Sequence, residues 1–128
     1  MSNLKNPGKK IAAFVAPGPT ITDMDFAYDA LLFSVMPGEE YANALGAILF
    51  GQHGPSGKLT FTMPNRDNEQ NFEQHQYPGD DGNQNVTYSE QHHFGYRYYD
   101  HNNVEPKYAF GHGLSYTVFE FANLKSDG

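Results

Sequence analysis

Reading from the amino terminus, the first apolar stretch is Ile11-Ala12-Ala13-Phe14-Val15-Ala16, stopped by Pro17-Gly18-Pro19. A short apolar run closed by turn residues has the length and composition of a buried strand, which predicts a strand over residues 10–16. Residues 20–29 are more polar and carry Asp23, Asp25 and Asp29, and a second apolar run, Ala30-Leu31-Leu32-Phe33-Ser34-Val35-Met36, follows. This run predicts a second strand, ended by Pro37-Gly38. Beyond it the period changes. Tyr41, Ala44, Leu45, Ile48 and Leu49 recur at helical spacing, and Glu39 and Glu40 oppose the positive end of a helix dipole. A helix is therefore predicted over residues 39–50, with Gly51 placed to stop it. Pro55-Ser56-Gly57 reads as a turn, and residues 58–63 alternate like a half-buried strand. Strand, strand, helix is the order of an open α/β layer with shortened crossovers.

Residues 65–87 break this pattern. Asn, Gln, Asp and Gly dominate, little could enter a core, and one long surface loop is predicted. Low-complexity drift on a tolerated loop is the simpler account of it. The pattern then turns aromatic, with Phe94, Tyr96, Tyr98, Tyr99, Tyr108, Phe110, Tyr116, Phe119 and Phe121. Phe94, Tyr96 and Tyr98 alternate, which predicts a strand whose aromatics pack on one face, with Arg97 on the other face near Asp100. A sugar-stacking platform is the competing reading. The fold class expected is α/β, a partial α/β sandwich layer with one clear helix and a C-terminal aromatic strand region.

Length bounds the organisation: 128 residues make a single domain, large enough to hold a core. A net charge of -7, with eight Lys and Arg scattered apart from Lys9-Lys10, offers no basic stripe to neutralise phosphates, so nucleic acid is not an expected partner. No apolar run reaches the length of a membrane span. The apolar run after the basic amino terminus is too short for a signal peptide, and the compartment stays open. With no cysteine the chain uses neither disulfides nor thiolate metal sites. Asn85-Val86-Thr87 is a glycosylation sequon, which makes Asn85 a modification candidate. His53, His75, His101 and His112 show no zinc-type spacing, and His92 and His93, adjacent on an extended chain, point apart. Neither a metal nor a cofactor is expected. His112 is read as a structural histidine that hydrogen-bonds a neighbouring loop.

Three ordered blocks carry a more specific signal. They are Met36-Pro37-Gly38-Glu39-Glu40 with Ile48-Leu49-Phe50-Gly51, then Gly54-Pro55-Ser56-Gly57-Lys58-Leu59-Thr60-Phe61-Thr62-Met63-Pro64, and finally Tyr88-Ser89-Glu90 with Gly95-Tyr96-Arg97-Tyr98-Tyr99-Asp100 and Phe110-Gly111-His112-Gly113-Leu114-Ser115-Tyr116-Thr117. Together they resemble the second, α/β sandwich domain of family 3 glycoside hydrolases, the β-glucosidase family. The resemblance implies that Glu90 is the catalytic acid/base. It also implies that the nucleophilic aspartate belongs to a (β/α)₈ barrel, which needs about 250 residues of its own. The sequence departs from the family beside Glu90, where the usual glycine is Gln91 and the next positions are His92 and His93. Glycine permits backbone conformations that glutamine resists.

Two functions of different class follow. The first is a domain that is non-catalytic alone and acts as a self-assembling structural or interaction module, since sheet edges and apolar faces left uncovered invite a homo-oligomer, a filament or a covering partner chain. The alternative is the acid/base-bearing subunit or fragment of a β-glucosidase-type hydrolase, with carbohydrate as its ligand and a barrel as its partner. Any enzymatic activity would be glycoside hydrolysis completed by that barrel.

Overall fold

The structure is a computed structural model that describes residues 8–23, 27–79 and 85–126. Its sheet is a pair of parallel strands, β1 (Ile11–Val15) and β2 (Ala30–Ser34), in register from Ile11 opposite Ala30 to Val15 opposite Ser34. Both predicted strands are present, each shorter than its apolar run because proline and glycine end the pairing. Asp29 fixes where pairing begins: its carboxylate accepts the Lys10 amide at 2.8 Å and the Lys9 ammonium at 3.0 Å, while its own amide donates to the Lys10 carbonyl. β1 is not the buried strand its composition predicts. Ile11, Ala13 and Val15 face solvent and Ala12 and Phe14 are half-buried, because the described chain lays no second layer over that face.

Helix α1 (Tyr41–Leu49) follows β2, with Glu40 at its N-cap and Phe50 at its C-cap. Gly51, at φ +74°, stops it as expected. The left-handed conformation there lets the Gly51 and Gln52 amides turn back to the Ile48 and Ala47 carbonyls. The apolar side chains Tyr41, Leu45 and Ile48 line a cleft of about 200 Å³ shared with Leu32 and Phe33 of β2. Phe33 continues inward to meet Phe61 edge-on, with ring centroids 5.7 Å apart.

Residues 58–63 form no continuous strand. They touch residues 107–113 at two points: Leu59 exchanges backbone bonds with Gly111 and His112, and Met63 pairs with Tyr108 in an isolated antiparallel bridge. Thr62 and Met63 are both buried, so the expected alternation is lost where the chain is wrapped rather than paired. Gly113 packs directly against this turn, and a methyl group there would come within 2.9 Å of Lys58 Cδ and collide with the Gly57 carbonyl. The Lys58 ammonium donates to the Gly113 carbonyl from the same contact.

The aromatic segment expected as a strand is a helix instead, α2 (Tyr96–Asn102). Seven residues are too few to hold a helix by propensity alone; its fixed points are tertiary. Gly95 enters at φ +55°, its amide held by the Gln70 side chain at 3.1 Å, and Asn103 leaves in the left-handed conformation with the Val104 amide bonded to the Tyr99 carbonyl. Helical spacing turns Tyr99 inward and lays Tyr96 on Phe110 at 4.9 Å. Arg97 pairs not with Asp100 but with the Tyr96 ring, 5.6 Å from its centroid. Nor do the aromatics build a core: Tyr99 alone of that block is buried, Tyr98 and Tyr108 are half-buried, and Phe119 and Phe121 stand in solvent.

The mixed α/β class of the sequence is thus observed, with very little interior. Met63 and Tyr99 are the buried hydrophobic side chains among the described residues. The chain exposes 10763 Å², against roughly 6,800 Å² expected for a compact monomer of its mass.

Candidate functional site

The polar segment that follows Pro64 is built on its own side chains. Asn65 donates to the Glu69 carboxylate from both its amide and its side chain at 3.0 Å, and Asn68 bonds the Phe72 amide and carbonyl. Further on, the Gln76 side-chain oxygen accepts the Glu73 amide at 3.0 Å, and the Gln74 side chain donates to the Gly79 carbonyl at 2.8 Å. Short Asn and Gln side chains that bond nearby backbone offer the chain an alternative to helix or strand. Asn68, Gln74 and Gln76 take that alternative. Residues 80–84 of the predicted loop lie outside the described residues, and the sequon residue Asn85 is exposed, with its carbonyl close to Gly79.

Glu69 is buried here and receives a third bond, from the Tyr99 hydroxyl of α2 at 2.8 Å. Desolvation acts to raise the Glu69 carboxyl, but the Asn65 amide, the Asn65 side chain and Tyr99 outweigh it and hold the group below its ordinary value. Burial, followed by the bond to Glu69, pushes the Tyr99 phenol well above its ordinary range. Tyr99 therefore remains a donor. Glu69 and Tyr99 also form one wall of an open pocket of about 450 Å³, with Arg66, Phe72 and Tyr77 on its rim. No pattern in the sequence singles out this pair, since a buried glutamate in a polar run looks like any surface glutamate.

Glu90 lies in the tight turn that precedes α2. The Gln91 amide donates to the Tyr88 carbonyl and the His93 amide to the Glu90 carbonyl. Gln91 sits at φ +54°, the left-handed conformation that glycine would take without strain. Gln91, which stands where the motif has glycine, thus takes a conformation that is also open to glycine. The Glu90 side chain is half-buried, and its Oε2 accepts a bond from Gln76 Nε2 at 2.8 Å. Beside it, His75 Nε2 lies 3.1 Å from the Ser89 hydroxyl, and the Thr87 amide donates to the His75 carbonyl. The polar loop and the Glu90 segment are one unit.

Among the histidines, His93 stacks on His101 of α2 with ring centroids 4.0 Å apart, a contact across the turn that sequence spacing does not reveal. His112 ties a neighbouring loop through its backbone: its carbonyl accepts the Leu59 amide at 2.8 Å, and its ring lies 5.3 Å from that of Tyr108. Among the described residues no three His, Cys, Asp or Glu side chains converge, and no helix is long and apolar enough to cross a membrane.

Comparison with known proteins places the chain in a family. Residues 1–116 match the glycosyl hydrolase family 3 C-terminal domain, and the chain belongs to that family. It is 41% identical over 98 residues to thermostable β-glucosidase B of Acetivibrio thermocellus, covering 77% of this chain and 13% of that protein. It is 36% identical over 122 residues to probable β-glucosidase I of Aspergillus niger, covering 94% of this chain and 14% of the relative. Among solved structures, β-D-glucoside glucohydrolase of Trichoderma reesei superposes with a TM-score of 0.75 at 30% identity, over 88% of this chain and 16% of that one. β-Glucosidase 3B of Thermotoga neapolitana, in complex with glycerol, gives a TM-score of 0.73 at 34% identity over the same shares. The chain thus spans about a seventh of the length of these curated relatives.

Proposed function

We propose that this chain supplies the acid/base half of a β-glucosidase-type active site, with the nucleophile contributed by a (β/α)₈ barrel outside these 128 residues. The observation that carries the reading is the half-buried Glu90, held in a tight turn with Gln91 in a left-handed conformation that a glycine adopts freely. A retaining glycosidase places two carboxyl groups about 5–5.5 Å apart. Glu90 gives its proton to the glycosidic oxygen as the bond from that oxygen to the anomeric carbon breaks, and the electron pair stays on the oxygen. The barrel carboxylate forms the new bond to carbon. In the second step Glu90 takes a proton from water as the water oxygen displaces that carboxylate. Alone, with no nucleophile opposite Glu90, the chain hydrolyses no glycoside.

The test begins with the native particle: its mass, its polypeptides and its activity on an aryl glucoside. The expected result is a barrel-sized partner and hydrolysis that falls more than about 100-fold in Glu90→Gln, the scale of a lost general acid. Activity that is indifferent to Glu90→Gln would refute the reading. The uncovered surface supports a second one, a self-associating module without catalysis, because large apolar side chains such as Leu114, Val118, Phe119 and Phe121 stand in water. A homo-oligomer or filament with no barrel and no hydrolysis would establish it.

A further inference from the structure

Gln76 stands apart from the other residues of the polar loop because its amide, engaged at both ends, reaches Glu90. Its Oε1 accepts the Glu73 backbone amide at 3.0 Å, and its Nε2 donates to Glu90 Oε2 at 2.8 Å. A backbone N–H can only donate, so the amide cannot be turned over without breaking the first bond. Gln76 therefore always presents a hydrogen to Glu90. That hydrogen occupies Oε2 and leaves no room for a second one between the two atoms.

The backbone around Gln76 gives it a firm base. The Gln76 and Tyr77 amides both return to the Glu73 carbonyl, the Gly79 amide bonds the Gln74 carbonyl, and the Thr87 amide, one residue before Tyr88, bonds the His75 carbonyl. Gln76 is half-buried, which shields its bond to Glu90 in part from competing water. The loop thus grips the Glu90 segment at three places: Thr87, Ser89 and Glu90.

We propose that Gln76 is a positioning residue for the acid/base reaction, which fixes the rotation of the Glu90 carboxyl so that Oε1 carries the transferable proton. This rests on the acid/base role assigned to Glu90 above. With Oε2 tied down, the proton of the acid form sits on Oε1 and moves from there to the departing oxygen. The negative charge left behind is spread over both oxygens, and the Gln76 N–H, now bonded to a carboxylate, is strengthened by it. In the return step Oε1 accepts the proton from water. Gln76 itself neither gains nor loses a proton, and it touches neither substrate nor nucleophile.

Two measurements test this. In the chain itself, the Gln76 side-chain amide resonances are assigned by their disappearance in Gln76→Met, and they are expected to move upfield in Glu90→Ala. Unmoved resonances would overturn the contact and the proposal with it. In the chain assembled with its barrel, kcat/KM is compared for an alkyl glucoside, whose leaving group needs a proton, and a dinitrophenyl glucoside, whose leaving group departs without one. Gln76→Met is expected to lose about tenfold or more on the alkyl glucoside, a part of what general acid catalysis supplies, and less than about threefold on the dinitrophenyl glucoside. Equal losses on both substrates, in an assembly that still responds to Glu90→Gln, would overturn the positioning role while leaving the proposed function standing. An assembly indifferent to Glu90→Gln would remove both.

Discussion

Tyr99→Phe removes one oxygen atom from the most buried part of the chain and tests what joins α2 to the polar loop. The Tyr99 ring and the Glu69 carboxylate are both more than nine-tenths buried, and the hydroxyl donates to the carboxylate at 2.8 Å. A hydrogen bond to a charged group contributes about 1.5–3 kcal/mol, and losing it leaves Glu69 with the two donors of Asn65, so the expected cost is about 2 kcal/mol. With an m-value of about 1–3 kcal/mol/M for a domain of this size, the urea midpoint falls by about 1 M. Far-UV circular dichroism reads the transition, since the chain has no tryptophan. The pH dependence gives a second readout. The folded chain holds the Glu69 carboxyl below its ordinary value, so the stability it contributes is present above the unfolded-state value and is lost as the pH falls through the lowered one. The wild-type protein is expected to weaken steeply in that acid range and Tyr99→Phe to weaken less. A loss below about 0.5 kcal/mol at neutral pH, with an unchanged acid profile, would refute the view that this bond holds the helix to the loop.

Gln91→Gly should stabilise the chain by about 0.5–1 kcal/mol by relieving the left-handed strain, seen as a rise of a few degrees in the thermal midpoint; a fall would mean that the glutamine side chain is doing something at the turn. Gly113→Ala should cost more than about 2 kcal/mol in urea unfolding because its methyl group meets the Gly57 carbonyl, whereas Gly57→Ala, with open space around it, should cost less than about 1 kcal/mol. Equal effects of the two would refute the close packing of residues 57 and 113. Asn65→Ala removes a side chain that donates to both Glu69 and the Glu105 carbonyl, and its expected cost of about 1–2 kcal/mol, measured in the same way, should add less than fully to that of Tyr99→Phe because the two share one acceptor.

The elements that could be read from sequence were those whose signal is local. Residues 10–16 and 30–36 gave strands because proline and glycine bound their apolar runs, and Gly51 marked the end of α1 within two residues. Residues 94–102 were misread because Tyr96, Tyr98 and Tyr99 fit either period. What decides for helix is non-local: the grip of Gln70 on Gly95 and of Glu69 on Tyr99, from 25 and 30 residues away. Residues 58–63 failed as a strand for the opposite reason, a correct alternation without a partner long enough to pair with it. At the site, Glu90 was legible through its motif alone. Gln76 was not, since nothing in a run of Asn, Gln and Glu marks the one amide that reaches Glu90.

The uncovered surface has a calorimetric consequence. Unfolding raises the heat capacity by about 0.45 cal/K/mol for each apolar square ångström newly exposed to water. In this chain Leu114, Val118, Phe119, Phe121 and Leu124 are already in water when folded, so they add nothing to that step. Its unfolding enthalpy therefore changes slowly with temperature, and its stability curve is flatter than that of a well-filled domain of equal length. Any surface that covered these side chains would recover the missing heat capacity on binding, because burying apolar area makes the heat-capacity change of association negative.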